Sequence, residues 1–211
     1  MKIGIIQASS QKSKNPMLEQ CAVQAIPREH EIINFGVFED SGGPLTYIEA
    51  ALCVSLLLES RAVDFIITGC SSGQGMMLAC NSLPGVICGY IENPADALLF
   101  GQINNGNAVS YPLGLNWGWA GEINFTETIR ALFSAPFGQG YPPQDAQRKR
   151  RDTERLKRIN LLCKKRLAGV LPLLDEDLVY TALHYDIVCQ YILEHGTDQE
   201  LEEIICKYRA G

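Results

Sequence analysis

Residues 63–83 read VDFIITGCSSGQGMMLACNSL, and no other stretch constrains the fold as tightly. Val63 to Thr68 is a short, apolar, β-branched run, the pattern of a buried strand. Gly69 to Gly75 (GCSSGQG) is glycine-rich with small polar side chains, and Met76 to Leu83 returns to helix-compatible residues. A strand feeding such a loop into a helix lets backbone N–H groups converge on an anion at the helix N-terminus. The loop fits neither GxxxxGK[ST] nor GxGxxG, so nucleotide and dinucleotide fingerprints are absent. Its unusual member is Cys70. A cluster of N–H groups favours a thiolate, which makes this thiol a candidate base or nucleophile. The same turn also occurs in α/β domains that do no chemistry there, and cysteine is often a small core residue. Residue types alone leave both readings open.

The rest of the chain repeats the strand–helix alternation. Lys2 to Gln7 reads as a strand, followed by a polar loop, Ala8 to Asn15. Asn15-Pro16 then caps and starts a helix that ends at Pro27. Glu31 to Phe35 is a second strand, and Thr46 to Ser60 a helix apolar on most sides and therefore deeply packed. Gly85 to Tyr90 gives a fourth strand, Pro94 to Gln102 a helix, Asn104 to Tyr111 a loop entering strand five, and Glu122 to Phe133 another helix. Strands alternating with helices imply a three-layer α/β/α fold around a five-stranded parallel sheet. Ligands of such sheets sit beyond the C-terminal strand ends, so loops 8–15, 36–45, 69–75 and 102–107 are expected to share one rim. At Ser134 the composition turns to a Pro/Gly-rich link, then to the basic run RKRRDTERLKR over 148–158 and two helical patterns. The expected organisation is an α/β domain over 1–147 and a C-terminal helical extension over 148–211.

Composition narrows the function classes. A net charge of −6 argues against non-specific nucleic-acid binding, and the run 148–158 lacks interleaved aromatics. The eight cysteines show no zinc-ligand spacing and most sit in apolar patterns, as reduced cytosolic thiols do. No apolar run approaches a membrane span, and KIGIIQ begins a strand without a charged-then-apolar leader. The expectation is a cytoplasmic protein with no membrane partner. His30, His184 and His195 lie off the expected rim, and Trp117 and Trp119 read as core or interface before sugar-stacking wall.

CSSGQGMM, GVICGYIENPADA and NNGNAV, in that order and spacing, resemble the ribose-5-phosphate isomerase B / galactose-6-phosphate isomerase family over about residues 1–160. The resemblance implies aldose–ketose isomerisation of a sugar phosphate through a cis-enediolate, with no metal or other cofactor. It makes Cys70 the catalytic base, with Ser72 beside it. Gly69 and the loop N–H groups of Ser71, Gly73, Gln74 and Gly75 become the anion hole, with Ser9 and Asn104 beside the sugar. Arg151 and Arg155 match a phosphate-binding pair that serves a neighbouring subunit, so the resemblance also implies a homodimer or dimer-based tetramer. An i, i+4 pair shares one helix face, where two guanidinium groups can grip one phosphate.

Departures accompany the match. Where the family has an Asp-His pair after the first strand, this chain has Ala8 and Ser9. Ile103 stands in place of a ring-opening histidine, and Gly114 in place of a further arginine. Gln7, Ser9, Ser10, Gln11, Asn15 and Gln102 are the polar residues placed to substitute. Two classes follow. One is an isomerase with a remodelled substrate end; the other is a non-catalytic sugar-phosphate or anion-binding protein on the same fold.

Overall fold

The computed structural model describes residues 1–41, 43–115 and 117–210. Five strands, β1 (Lys2–Ile6), β2 (Glu31–Gly36), β3 (Phe65–Cys70), β4 (Cys88–Tyr90) and β5 (Ala108–Pro112), form one sheet in the order β2-β1-β3-β5-β4. All pairs are parallel, as the βα alternation requires. On one face lie α1 (Asn15–Ala25), α4 (Pro94–Leu99) and α5 (Gly121–Leu132). On the other lie α2 (Tyr47–Glu59) and α3 (Gln74–Ser82). The expected three-layer fold is the observed one.

Because β1 leads to a helix on one face and β3 to a helix on the other, a crevice opens between their C-terminal ends. Open α/β sheets place ligands at such a switch point.

The rest of the chain is helical: α6 (Ala146–Cys163), α7 (Leu167–Val170), α8 (Glu176–Leu183), α9 (Asp186–His195) and α10 (Gln199–Ala210). This segment explains the all-round apolar character of α2. One side of α2 meets the sheet and α3, while α7, α8 and α9 cover another. Every residue from Ala50 to Leu57 is consequently buried. Leu167, Leu171, Val179, Leu183, Val188 and Ile192 share one continuous core with α2. Tyr185 Oη donates to Phe35 O at 2.8 Å and ties the α8–α9 turn to β2. The α2 N-terminus is closed by a capping box, with Thr46 accepting from Glu49 N and Glu49 accepting from Thr46 N.

Two expectations are corrected. The third strand is longer at its C-terminal end, because Gly69 and Cys70 pair with Tyr111 and Pro112 of β5 and belong to the sheet. Residues 102–107 also do not join the common rim. α4 and a π-helical turn, Phe100–Asn104, run antiparallel to the strands and deliver the chain to the N-terminal end of β5. There Asn107 O accepts from Ile66 N, and its side chain bonds Ile87 N and Gly85 O. A loop that precedes a strand lies at the opposite end from one that follows it.

Candidate active site

Cys70 is the last residue of β3, on the strand face shared with Ile66 and Thr68, and is 8% exposed. Its carbonyl accepts from Leu113 N at 2.9 Å, and Ser71 O accepts from Gly114 N and Leu115 N, each at 2.8 Å. The thiol therefore sits on a strand end clamped by the β5 loop. Two glycines make the clamp possible. A Cβ at Gly69 would meet Tyr111 O at 2.5 Å, and Gly73 holds φ +73° with Pro112 N 2.9 Å from where its Cβ would be. Gly73 precedes α3, and its carbonyl accepts from both Met77 N and the buried Ser110 Oγ, at 3.1 and 2.6 Å.

These constraints aim backbone donors at the mouth of the crevice. Among the described residues, none partners the N–H groups of Ser72, Gly73, Gly75 or Met76. Gln74 N reaches Ser72 Oγ only at 3.4 Å. Unpaired donors at a helix N-terminus suit an anion or a developing oxyanion. Gly75 is partly exposed and faces the Tyr47 ring, and Ser71 and Gln74 are exposed.

The β1 loop supplies the other wall. Ala8 N donates to Gly69 O at 3.0 Å, and Ser9 Oγ accepts from Leu45 N at 2.6 Å, so Ser9 pins the entry to α2. Gln7 and Asn15 are buried and spend their amides on structure: Gln7 Nε2 donates to Val37 O at 2.7 Å, and Asn15 Nδ2 to Gln7 Oε1 at 2.9 Å. Gln11 is different. Its Nε2 crosses the crevice to Ser71 Oγ at 2.8 Å, and its Oε1 accepts from Lys14 Nζ at 2.6 Å. Lys14 Nζ stands 5.2 Å from the Trp117 ring centroid, and burial pushes its pKa down. Trp117 itself packs on Tyr111 and Phe125, whereas Trp119 is 98% exposed. On the far side, Tyr90 donates to Glu92 at 2.9 Å. Burial, with Glu92 second, raises its pKa to about 12, so it stays protonated at neutral pH.

The other residues singled out from the sequence lie elsewhere in the chain. Asn104 is exposed at the N-terminal end of β5, a strand of five residues that separates the two ends by about 13 Å or more. α6 is fixed to the same end, where Thr153 Oγ1 donates to Ile103 O. Arg151 and Arg155 flank Thr153, and Asp152 gathers them at 3.8 and 3.6 Å, with Arg148 at 3.4 Å. Gln102 Nε2 donates to Pro136 O and also belongs to this end. A groove of about 890 Å³ runs along it, lined in part by Asn105, Asn107, Lys157, Asn160 and Lys164. One chain thus brings Cys70, Ser71, Ser72, Gly73, Gln74, Gly75 and Ser9 to one end of the sheet, and Asn104, Arg151 and Arg155 to the other. His184 and His195 are exposed on the C-terminal helices, and His30 lies near Met1.

A thiol beside a fan of backbone donors at the switch point of a parallel sheet points to the class of small-molecule enzymes built on this fold. The model of the ribose/galactose isomerase family matches residues 8–141, and the chain belongs to that family. It is a sugar isomerase, so the non-catalytic reading falls. Among curated proteins no match is found. Two solved structures align over essentially the full length. A 4-deoxy-L-threo-5-hexosulose-uronate ketol-isomerase complexed with a tartrate is 34% identical, with 100% of both chains covered and a TM-score of 0.95. A ribose-5-phosphate isomerase from Vibrio parahaemolyticus is 35% identical, with 99% of both chains covered and a TM-score of 0.93. Ribose 5-phosphate isomerase from Thermotoga maritima shares the fold, at 22% identity and TM-score 0.56. It matches 71% of this chain and 97% of its own. Among the described residues no helix is long and apolar enough to cross a membrane.

Proposed function

We propose that the protein interconverts an aldose and a ketose of an acidic sugar, with Cys70 Sγ carrying a proton between C1 and C2 through a cis-enediolate. The observation that carries this reading is the thiol at the end of β3 beside the unpaired N–H groups of Ser72, Gly73, Gly75 and Met76. Cys70, as the thiolate, takes the C2 proton of the aldose while the C1 carbonyl oxygen gains charge and the sugar becomes an enediolate. The loop donors bind that oxygen, the hydroxyl proton of O2 passes to O1, and the thiol so formed returns its proton at C1. Ser72 and Gln74 bound the opening, and Ser9 holds the loop that faces them.

The acidic end of the substrate is a phosphate in this reading, held by Arg151 and Arg155 of a second copy together with its Asn104. The separation of the two residue groups by the width of the sheet supports a site completed by a homodimer or dimer-based tetramer. Leu156, Ile159 and Leu162, spaced along α6 and 45, 58 and 73% exposed, offer the apolar face such a contact buries. A second reading replaces phosphate with carboxylate. It is favoured by the full-length likeness to a hexosulose-uronate ketol-isomerase, together with Ile103 and Gly114 at positions where the family has polar groups.

The deciding experiment assays wild type and Cys70→Ala on ribose 5-phosphate, galactose 6-phosphate and 4-deoxy-L-threo-5-hexosulose uronate. Turnover of one class that vanishes in the variant fits the proposal and names the acidic group. A Cys70→Ala protein with undiminished kcat sinks the thiol mechanism.

A further inference from the structure

The loop N–H groups approach the sugar oxygen that receives charge from one wall, whereas Ala8 offers no side-chain donor to it from the other and Ser9 Oγ is engaged by Leu45 N. We propose that Lys14, Gln11 and Ser71 form a one-way hydrogen-bond relay. It presents the Ser71 hydroxyl proton to that oxygen, and the inference rests on the isomerase reading above.

The direction of the relay follows from donor and acceptor chemistry. A lysine ammonium can only donate, so its 2.6 Å contact fixes the Gln11 amide with Oε1 toward Lys14. The amide NH2 then points across the crevice and donates to Ser71 Oγ at 2.8 Å. A hydroxyl that accepts there turns its own proton elsewhere. Among the described residues its other hydrogen-bond neighbour is Ser10 Oγ at 3.4 Å, a long contact that leaves the proton available to a ligand. Ser71 is exposed and directly follows Cys70, whereas Gln11 is 8% exposed and held rigidly.

The source of the polarisation is also fixed. Lys14 Nζ rests over the Trp117 ring at 5.2 Å, where the π face favours a cation, and among the described residues no carboxylate is paired with it. Its charge is therefore passed through the amide to the serine hydroxyl, and bonds in such a chain strengthen one another. No proton leaves Lys14. The Ser71 proton is shared with the substrate oxygen while charge resides there, and the C–H proton still travels on Cys70. Lys14 and Gln11 are positioning residues; Ser71 is the group that touches substrate.

The test is a mutant cycle on whichever acidic sugar turns over. Ser71→Ala and Lys14→Met should each lower kcat about 10–100-fold with KM nearly unchanged, as loss of an oxyanion donor does. The double variant should be no worse than Ser71→Ala alone, since members of one relay are not additive. Lys14→Arg, which keeps the donor, should restore most of the rate. Wild-type kcat in Lys14→Met, or full additivity in the double variant, overturns the relay. Cys70→Ala, run in parallel, reports on the isomerase reading separately. Tartrate titrated calorimetrically into the same proteins needs no turnover. The relay requires roughly tenfold weaker binding in Ser71→Ala and Lys14→Met but not in Lys14→Arg, the scale of one charge-assisted bond. Equal affinities in all of them overturn it.

Discussion

The two ends of the sheet divide the chemistry between them. At the C-terminal end are a thiol, a fan of N–H groups unpaired among the described residues, and two lysines, Lys14 committed to Gln11 and Lys12 paired with Glu39. At the N-terminal end, α6 carries guanidinium groups clustered on Asp152. In the proposed mechanism the first end moves the proton and the second holds the acidic group. A parallel sheet cannot fold back to unite its own two ends, so the proposed mechanism draws its site from two chains.

The comparison is broken most directly at Cys70. Cys70→Ala should reduce kcat by at least about 10³-fold while the thermal midpoint stays within a few degrees, as measured by steady-state assay and calorimetry. If instead the arginines carried the chemistry, the Cys70 variant would stay active and Arg151→Ala/Arg155→Ala would be dead. The double arginine variant should instead raise KM by about 10–100-fold, each charge-assisted contact contributing roughly 1.5–3 kcal/mol. Mixed with Cys70→Ala, it should recover up to about a quarter of wild-type activity if sites are shared between copies and subunits exchange freely. Sedimentation showing a monomer at assay concentration would end that account.

Smaller effects test the scaffold. Leu56→Ala, at a fully buried position of α2, should cost about 2–5 kcal/mol in denaturant unfolding and leave KM unchanged. Thr46→Ala removes one half of the capping box and should cost about 1 kcal/mol by the same measurement.

The strands, the glycine loop and the burial of α2 were legible because each has a local signal: β-branched runs, glycines between a strand and a helix, and a helix without a polar face. Cys70 could be picked out for the same reason, as a reactive side chain inside a patterned turn. The end of β3 was misjudged because Gly69 and Cys70 look like loop residues, and only pairing with Tyr111 and Pro112 makes them strand. Residues 102–107 lie at the opposite end from the one expected because polarity marks a loop without saying whether it precedes or follows a strand. Lys14 gave no signal at all. Its position depends on Gln11 in its own loop and on Trp117, about a hundred residues further along the chain.

The coverage of α2 has a consequence for synthesis on the ribosome. The sheet is complete once Pro112 has emerged, yet the helices that cover the outer side of α2 end at His195. At roughly 5–20 residues per second, about eighty residues separate the two events by some 4–16 s. Through that interval a nascent chain displays an apolar helix with no lid. Its yield should therefore depend on chaperones that shield such surfaces, and on the absence of pauses downstream of residue 112.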